Sequence, residues 1–156
     1  MPNHIVLFQP EIPQNTGNIA RTCAATDTTL HLIKPLGFSV EEKMVRRAGL
    51  DYWEFVDIHY YESIEQFFEE NEGNYYMLSK HGKKAHSDMD YSDFDENHYF
   101  VFGRETTGLP EWVREEYDDT LLRVPMTGNV RSLNLANTAT MLVYEALRQQ
   151  NYPGLI

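Results

Sequence analysis

The chain of 156 residues holds a single cysteine, Cys23. An internal disulfide is therefore excluded, and stability has to come from a packed core. No apolar run approaches the roughly 20 residues that a helix needs to span a bilayer. Met1-Pro2-Asn3-His4 puts no basic segment ahead of the short apolar run that follows, so that run reads as a strand and not as a signal peptide. A cytoplasmic location and no membrane partner are the expectation. Positive charge is scarce too: 13 Lys and Arg against 24 Asp and Glu leave a net charge of −11. Such a chain has no long-range attraction for nucleic acid, which excludes a non-specific coat protein but not an enzyme with a local basic site.

Several functional signatures are also missing. No Gly-Lys-Ser/Thr of a nucleotide-binding P-loop is present, and Asn15-Thr16-Gly17-Asn18 is not the glycine fingerprint of a dinucleotide site. Ser132 lacks the glycine-flanked elbow of a hydrolase nucleophile; its ordinary role would be a helix N-cap. The six histidines form no cluster at metal-ligand spacing, so no metal is expected. Cys23 falls on the apolar face of a predicted helix and reads as core.

The remaining sequence is organised as a single unit, without repeats or linkers. Runs rich in β-branched and aromatic residues predict strands over His4–Phe8, Leu30–Ile33, Phe55–Tyr60, Tyr75–Leu78, Tyr99–Phe102 and Thr120–Val124. Helical spacing predicts helices over Asn15–Ala25, Val40–Ala48, Ser63–Glu70, Pro110–Glu116 and Asn134–Gln149, the last with Leu135, Ala139, Leu142, Val143, Ala146 and Leu147 on one face. Alternating strands and helices imply an α/β fold with a mostly parallel sheet flanked by helices. Ligands of such sheets bind beyond the carboxyl ends of the strands.

Three polar, glycine-containing segments follow predicted strands: residues 13–21, 102–110 and 123–137. The third passes from a short strand through Pro125 and Gly128 to a helix start, an arrangement that presents backbone N–H groups and a favourable dipole to a ligand. Arg21 is either a solvated helix-face residue or a planar fork for phosphate or substrate. Glu105 either complements a cationic group or caps a turn. The residues by themselves point to an α/β domain that binds a small polar ligand, with a nucleotide-binding metabolic enzyme among the readings.

These segments match, in order and spacing, the three motifs of the SPOUT class of RNA methyltransferases. The matching stretches are PEIPQNTGNIARTC at 10–23, RRAGLDYWEF at 46–55, FGRETTGLP at 102–110 and RVPMTGNVRSLNLANTATMLVYEALRQ at 123–149. They extend over essentially the whole chain with no departure at a motif position. The chain most resembles the small single-domain members that methylate the ribose 2′-hydroxyl of the tRNA wobble nucleotide. Another tRNA or rRNA site, or a non-catalytic RNA-binding member, is the alternative.

The resemblance implies one SPOUT domain over residues 1–156, with a C-terminal deep trefoil knot and the cofactor site within about residues 75–150. Generic connection rules treat such knots as nearly absent. S-adenosylmethionine would bind against Leu78, Gly103, Val124 and Ser132. Arg21, Asn15, Glu105, Ser132 and Asn134 would form the catalytic set. The tRNA anticodon stem-loop would meet Arg46, Arg47, Arg131 and Tyr144, with Tyr52 and Trp53 as further contacts or ordinary packing. A homodimer built on the last helix is implied, and its apolar face ending in Tyr144 and Leu147 suits either an interface or a core. Family analogy gives Arg21 the task of activating the hydroxyl. Arginine holds its proton and is a poor base, so orienting a phosphate or stabilising the developing alkoxide is the other version.

Overall fold

The computed structural model describes residues 2–39 and 53–156. Seven strands form one sheet: β1 (Asn3–Phe8), β2 (Thr29–Ile33), β3 (Ile58–Tyr61), β4 (Asn74–Leu78), β5 (Lys84–Ala85), β6 (His98–Phe102) and β7 (Leu121–Arg123). Their order is β3-β2-β1-β6-β4-β7-β5, and the strand pairs are all parallel. The helices are α1 (Pro13–Thr26), α2 (Ile64–Glu70), α3 (Glu111–Glu116) and α4 (Leu135–Gln149).

Alternation along the buried strands feeds two cores. Ile5, Leu7, Leu30, Leu32, Phe100, Phe102 and Leu122 point to one face, where they meet Ile19, Ala20 and Cys23 of α1 and Ala139, Leu142, Val143, Ala146 and Leu147 of α4. Val6, Phe8, Ile33, Met77, Tyr99 and Val101 point to the other, against Ile64 and Phe67 of α2 and Val113 of α3. The result is a three-layer α/β/α sandwich, in which strands buried on both faces read as continuous apolar runs such as His98–Phe102. No helix among the described residues is long and apolar enough to cross a membrane.

Most predicted elements are present, with instructive shifts. The strand expected over Phe55–Tyr60 starts only at Ile58, because Trp53–Phe55 forms a 3₁₀ turn in which Trp53 packs on the core. Strand β5 was not predicted: two residues, one of them lysine, carry no apolar pattern. The helix expected over Val40–Ala48 lies outside the described residues. The apolar face of α4 is taken up within the chain, since Leu147 is 1% exposed. An interface on α4 therefore has to use its outward ridge, where Asn137, Met141, Tyr144 and Arg148 are exposed at helical spacing.

Candidate active site

Parallel pairing aligns the carboxyl ends of the central strands. Leu78 of β4 lies opposite Phe102 of β6 and Leu122 of β7, which brings Leu78, Gly103 and Val124 to one stretch of the sheet edge. Gly103 is required there. The turn after β6 closes through reciprocal hydrogen bonds between Arg104 and Gly108 (3.2 and 2.9 Å), and a Cβ on residue 103 would run into the Gly108–Leu109 backbone.

That turn is clasped to the segment entering α1. Helix α1 starts with Pro13, and its N-cap residue, Ile12, offers no side-chain acceptor. Glu105 supplies one from a distant part of the chain. Its carboxylate accepts from the backbone N–H groups of Glu11 (2.8 Å) and Ile12 (3.0 Å), a favourable place for negative charge at a helix N-terminus. The contact is reciprocated, because the Glu11 carboxylate accepts from the backbone N–H of Thr106 at 3.0 Å and from its hydroxyl at 2.8 Å. These bonds hold the Glu11 carboxyl below its usual pKa. Arg104 completes the clasp, bonded to Gln9 and lying 4.7 Å over the Phe8 ring.

The third segment joins through amides. Asn15 donates to Glu105 at 3.2 Å, and Asn134 donates to the Asn15 carbonyl at 3.1 Å. The other end of the Asn134 side chain accepts from the Asn137 N–H at 3.2 Å and so caps α4. Asn134, and not Ser132, is therefore the cap. The sequence-predicted Asn15, Glu105 and Asn134 form one hydrogen-bonded chain across all three motif segments. Ser132 and Arg131 stand in an exposed loop, Pro125–Asn134, that also exposes Met126, Val130 and Leu133. Arg21 is on the exposed face of α1 with Asn18 and Ala25. It lies six residues beyond Asn15, about 9 Å along the helix axis. Tyr144 is exposed on α4. Arg46, Arg47 and Tyr52 lie outside the described residues. No group of three or more His, Cys, Asp or Glu side chains among the described residues is placed to hold a metal ion.

Sequence reasoning did not find the clasping roles of Glu11, Thr106, Arg104 and Gln9. The family model described as the SpoU rRNA Methylase family matches residues 2–144. The chain belongs to the SpoU methylase family. Within this family it is 63% identical over 156 residues to a Geobacillus stearothermophilus protein provisionally named a tRNA (cytidine(34)-2′-O)-methyltransferase, covering 99% of each chain. A crystal structure of a provisional RNA methyltransferase from Bacillus anthracis matches with a TM-score of 0.93 and 65% identity over 97% of this chain and 96% of that one. A solved structure concerned with 2′-OH methylation of C/U34 on tRNA matches with a TM-score of 0.89 and 43% identity, over 97% and 99% of the two chains. The matched residues 2–144 include all three segments that Glu105, Asn15 and Asn134 tie together.

Proposed function

We propose that this chain methylates the ribose 2′-hydroxyl of the wobble nucleotide, cytidine or modified uridine 34, in the tRNA anticodon loop, with S-adenosylmethionine as methyl donor. The observation that carries the reading is the convergence of three SpoU motif segments on one sheet edge through the Glu105–Asn15–Asn134 chain. The tRNA-named relative, matched along its whole length, favours tRNA over the rRNA of the family description.

The residues present suit the donor. Leu78 and Val124 are buried beside an exposed loop bearing Met126, Val130 and Leu133, so apolar side chains and loop backbone stand together where an adenine needs both. When bound, S-adenosylmethionine supplies a methyl group activated by a sulfonium. The protein's own task is positioning. Glu105 fixes the entry to α1 and orients Asn15; Asn15 in turn orients Asn134. A guanidinium is a poor base, so Arg21 holds a phosphate or stabilises the alkoxide that develops on the ribose oxygen.

Two further features belong to the same reading. Residues 79–84 cross from the β4 side of β7 to its β5 side, with Ser79 N–H donating to Leu122 O (2.9 Å) and Lys83 N–H to Leu121 O (3.3 Å). This crossing supports a deep trefoil knot at the cofactor site. The Asn137–Met141–Tyr144–Arg148 ridge supports a homodimer through α4. Mass spectrometry of nucleosides from tRNA of cells with and without the protein tests the reaction: 2′-O-methylated nucleoside 34 disappears on deletion. An unchanged tRNA profile would sink the proposal.

A further inference from the structure

We infer that a basic ridge made of Lys80, His81, Lys83, Lys84 and Arg123 docks the phosphate backbone of the RNA substrate beside the reaction site. The inference rests on the proposed RNA substrate and adds a surface of which the motif segments include only Arg123 and the candidate contacts nothing.

Placement is the first argument. Ser79 follows Leu78 and Arg123 precedes Val124, so both ends of the ridge adjoin candidate cofactor positions. Strand β5 is the sheet's edge, and Lys84–Ala85 pairs with Leu122–Arg123. Lys84, in register with Leu122, and Arg123, one residue further on, therefore flank the edge from its two faces. The second argument is rigidity. The turn is closed by Gly82 N–H to Ser79 O (3.1 Å) and His81 N–H to Ser79 Oγ (3.1 Å). Gly82 is buried against the backbone of Leu122, where a Cβ could not fit. With its backbone pressed onto β7, the turn exposes Lys80, His81, Lys83, Lys84 and Arg123.

Charge is the third argument. Lys83 reaches Asp118 at 3.4 Å with both side chains exposed, and Lys84 donates to the Asp119 carbonyl at 3.0 Å. Exposed pairs of this kind contribute little and are open to exchange for a phosphate. Lys80 and Arg123 take part in no ion pair among the described residues. In a chain of net charge −11, RNA is repelled at long range and has to be drawn in locally. A fixed cationic edge next to the site does that, and it reads phosphates without reading sequence.

The test compares wild type with Lys80→Ala/Lys83→Ala/Lys84→Ala. Anisotropy of a fluorescent tRNA anticodon stem-loop is followed across a KCl series, and methylation kinetics and S-adenosylmethionine calorimetry run alongside. Each phosphate contact contributes roughly 0.7 to 0.9 to the slope of log affinity against log salt. The expected result is a slope shallower by about two, affinity near 0.1 M salt weakened about tenfold or more, KM for tRNA raised in step, and unchanged kcat and cofactor affinity. An unaltered slope and KM would overturn the ridge, as would a fall in kcat at unchanged KM. A wild-type protein that binds the stem-loop through the ridge yet transfers no methyl group would support the ridge and overturn the proposed reaction alone.

Discussion

Asn15 and Asn134 stand 119 residues apart in the chain and meet side chain to side chain at 3.1 Å. Asn15 is 7% exposed and is also held by Glu105, while Asn134 caps α4. One amide–amide contact thus couples the starts of the first and last helices at the sheet edge. A second tie lies further along the same helices, where the hydroxyls of Thr22 and Thr140 approach to 3.0 Å.

Glu105→Gln should expose the weight carried by this arrangement. The carboxylate accepts two backbone N–H groups with its two oxygens. A glutamine keeps one oxygen and turns an NH₂ toward the other donor, which loses its partner. Losing a charge-assisted bond of this kind costs about 1.5–3 kcal/mol, and in a domain of this size each kcal/mol moves Tm by about 2–4 °C. Scanning calorimetry should find Tm lowered by about 3–12 °C with the cooperative transition kept. An unchanged Tm would show that Glu105 does not cap α1 in solution.

The clasp also marks how far the sequence could be read. Buried parallel strands such as β1 and β6 are legible because both faces demand apolar residues, and α4 because its apolar spacing is regular. Ser63, which accepts from Gln66 N–H at 3.1 Å to cap α2, and Pro13 at the start of α1 are local signals. Strand order and β5 are not legible, since a two-residue edge strand is defined by its neighbour β7 alone. Asn15, Glu105 and Asn134 could be singled out by motif. That Glu105 substitutes for the side chain Ile12 lacks is a contact across 93 residues, and no periodicity encodes it.

A polar wire that runs from exposed Asn97 to buried His31 on the other face of the sheet predicts acid sensitivity. His4 Nδ1 lies 3.0 Å from His31 Nε2, His31 Nδ1 2.9 Å from Tyr61 Oη, and His4 Nε2 3.1 Å from Asn97 Oδ1. The Asn97 oxygen can only accept, so His4 carries its proton on Nε2. His31 then carries its own on Nε2, and the Tyr61 hydroxyl donates to His31 Nδ1. In this arrangement both rings are neutral. Burial lowers the pKa to about 4 for His4 and about 3 for His31, and the neighbouring His59 also lowers both. Asp57, and more strongly the bond to Asn97, act in the opposite sense on His4.

The folded state therefore binds fewer protons than the unfolded chain below the ordinary histidine pKa. This contribution to stability is full above about pH 6.5 and is lost as pH falls toward 4 and 3, with a limiting slope of about 1.4 kcal/mol per pH unit for each histidine. Urea unfolding from pH 7 to 4 should show midpoints falling on this course, and His31→Phe should flatten it. A pH-independent midpoint in wild type would show that the rings take up protons in the fold as readily as in the unfolded chain.

The two faces of α4 predict opposite responses. Leu147→Ala removes a core side chain, and substitutions of this kind cost about 2–5 kcal/mol. Tyr144→Glu alters a residue that is 43% exposed and should leave the fold of one chain intact while, on the proposed homodimer, halving the mass in light scattering. A dimer that survived Tyr144→Glu and Met141→Glu together would remove the α4 ridge from the interface.

Arg21 makes the sharpest case for function. If it acts on the reacting hydroxyl or the adjacent phosphate, its contribution appears in the transition state, and Arg21→Ala lowers turnover with cofactor affinity nearly intact. Removing one preorganised donor typically costs about 100- to 1000-fold in rate. Arg21→Lys should rescue only in part, because a point ammonium does not copy a planar two-pronged contact. Its exposed position on α1, beyond the Glu105–Asn15–Asn134 chain, makes the alternative concrete: a residue that only gathers tRNA would change KM and the salt slope. Single-turnover methylation at saturating tRNA separates the two. A wild-type rate for Arg21→Ala under that condition would assign Arg21 to binding and leave the chemistry to positioning by Asn15, Glu105 and Asn134.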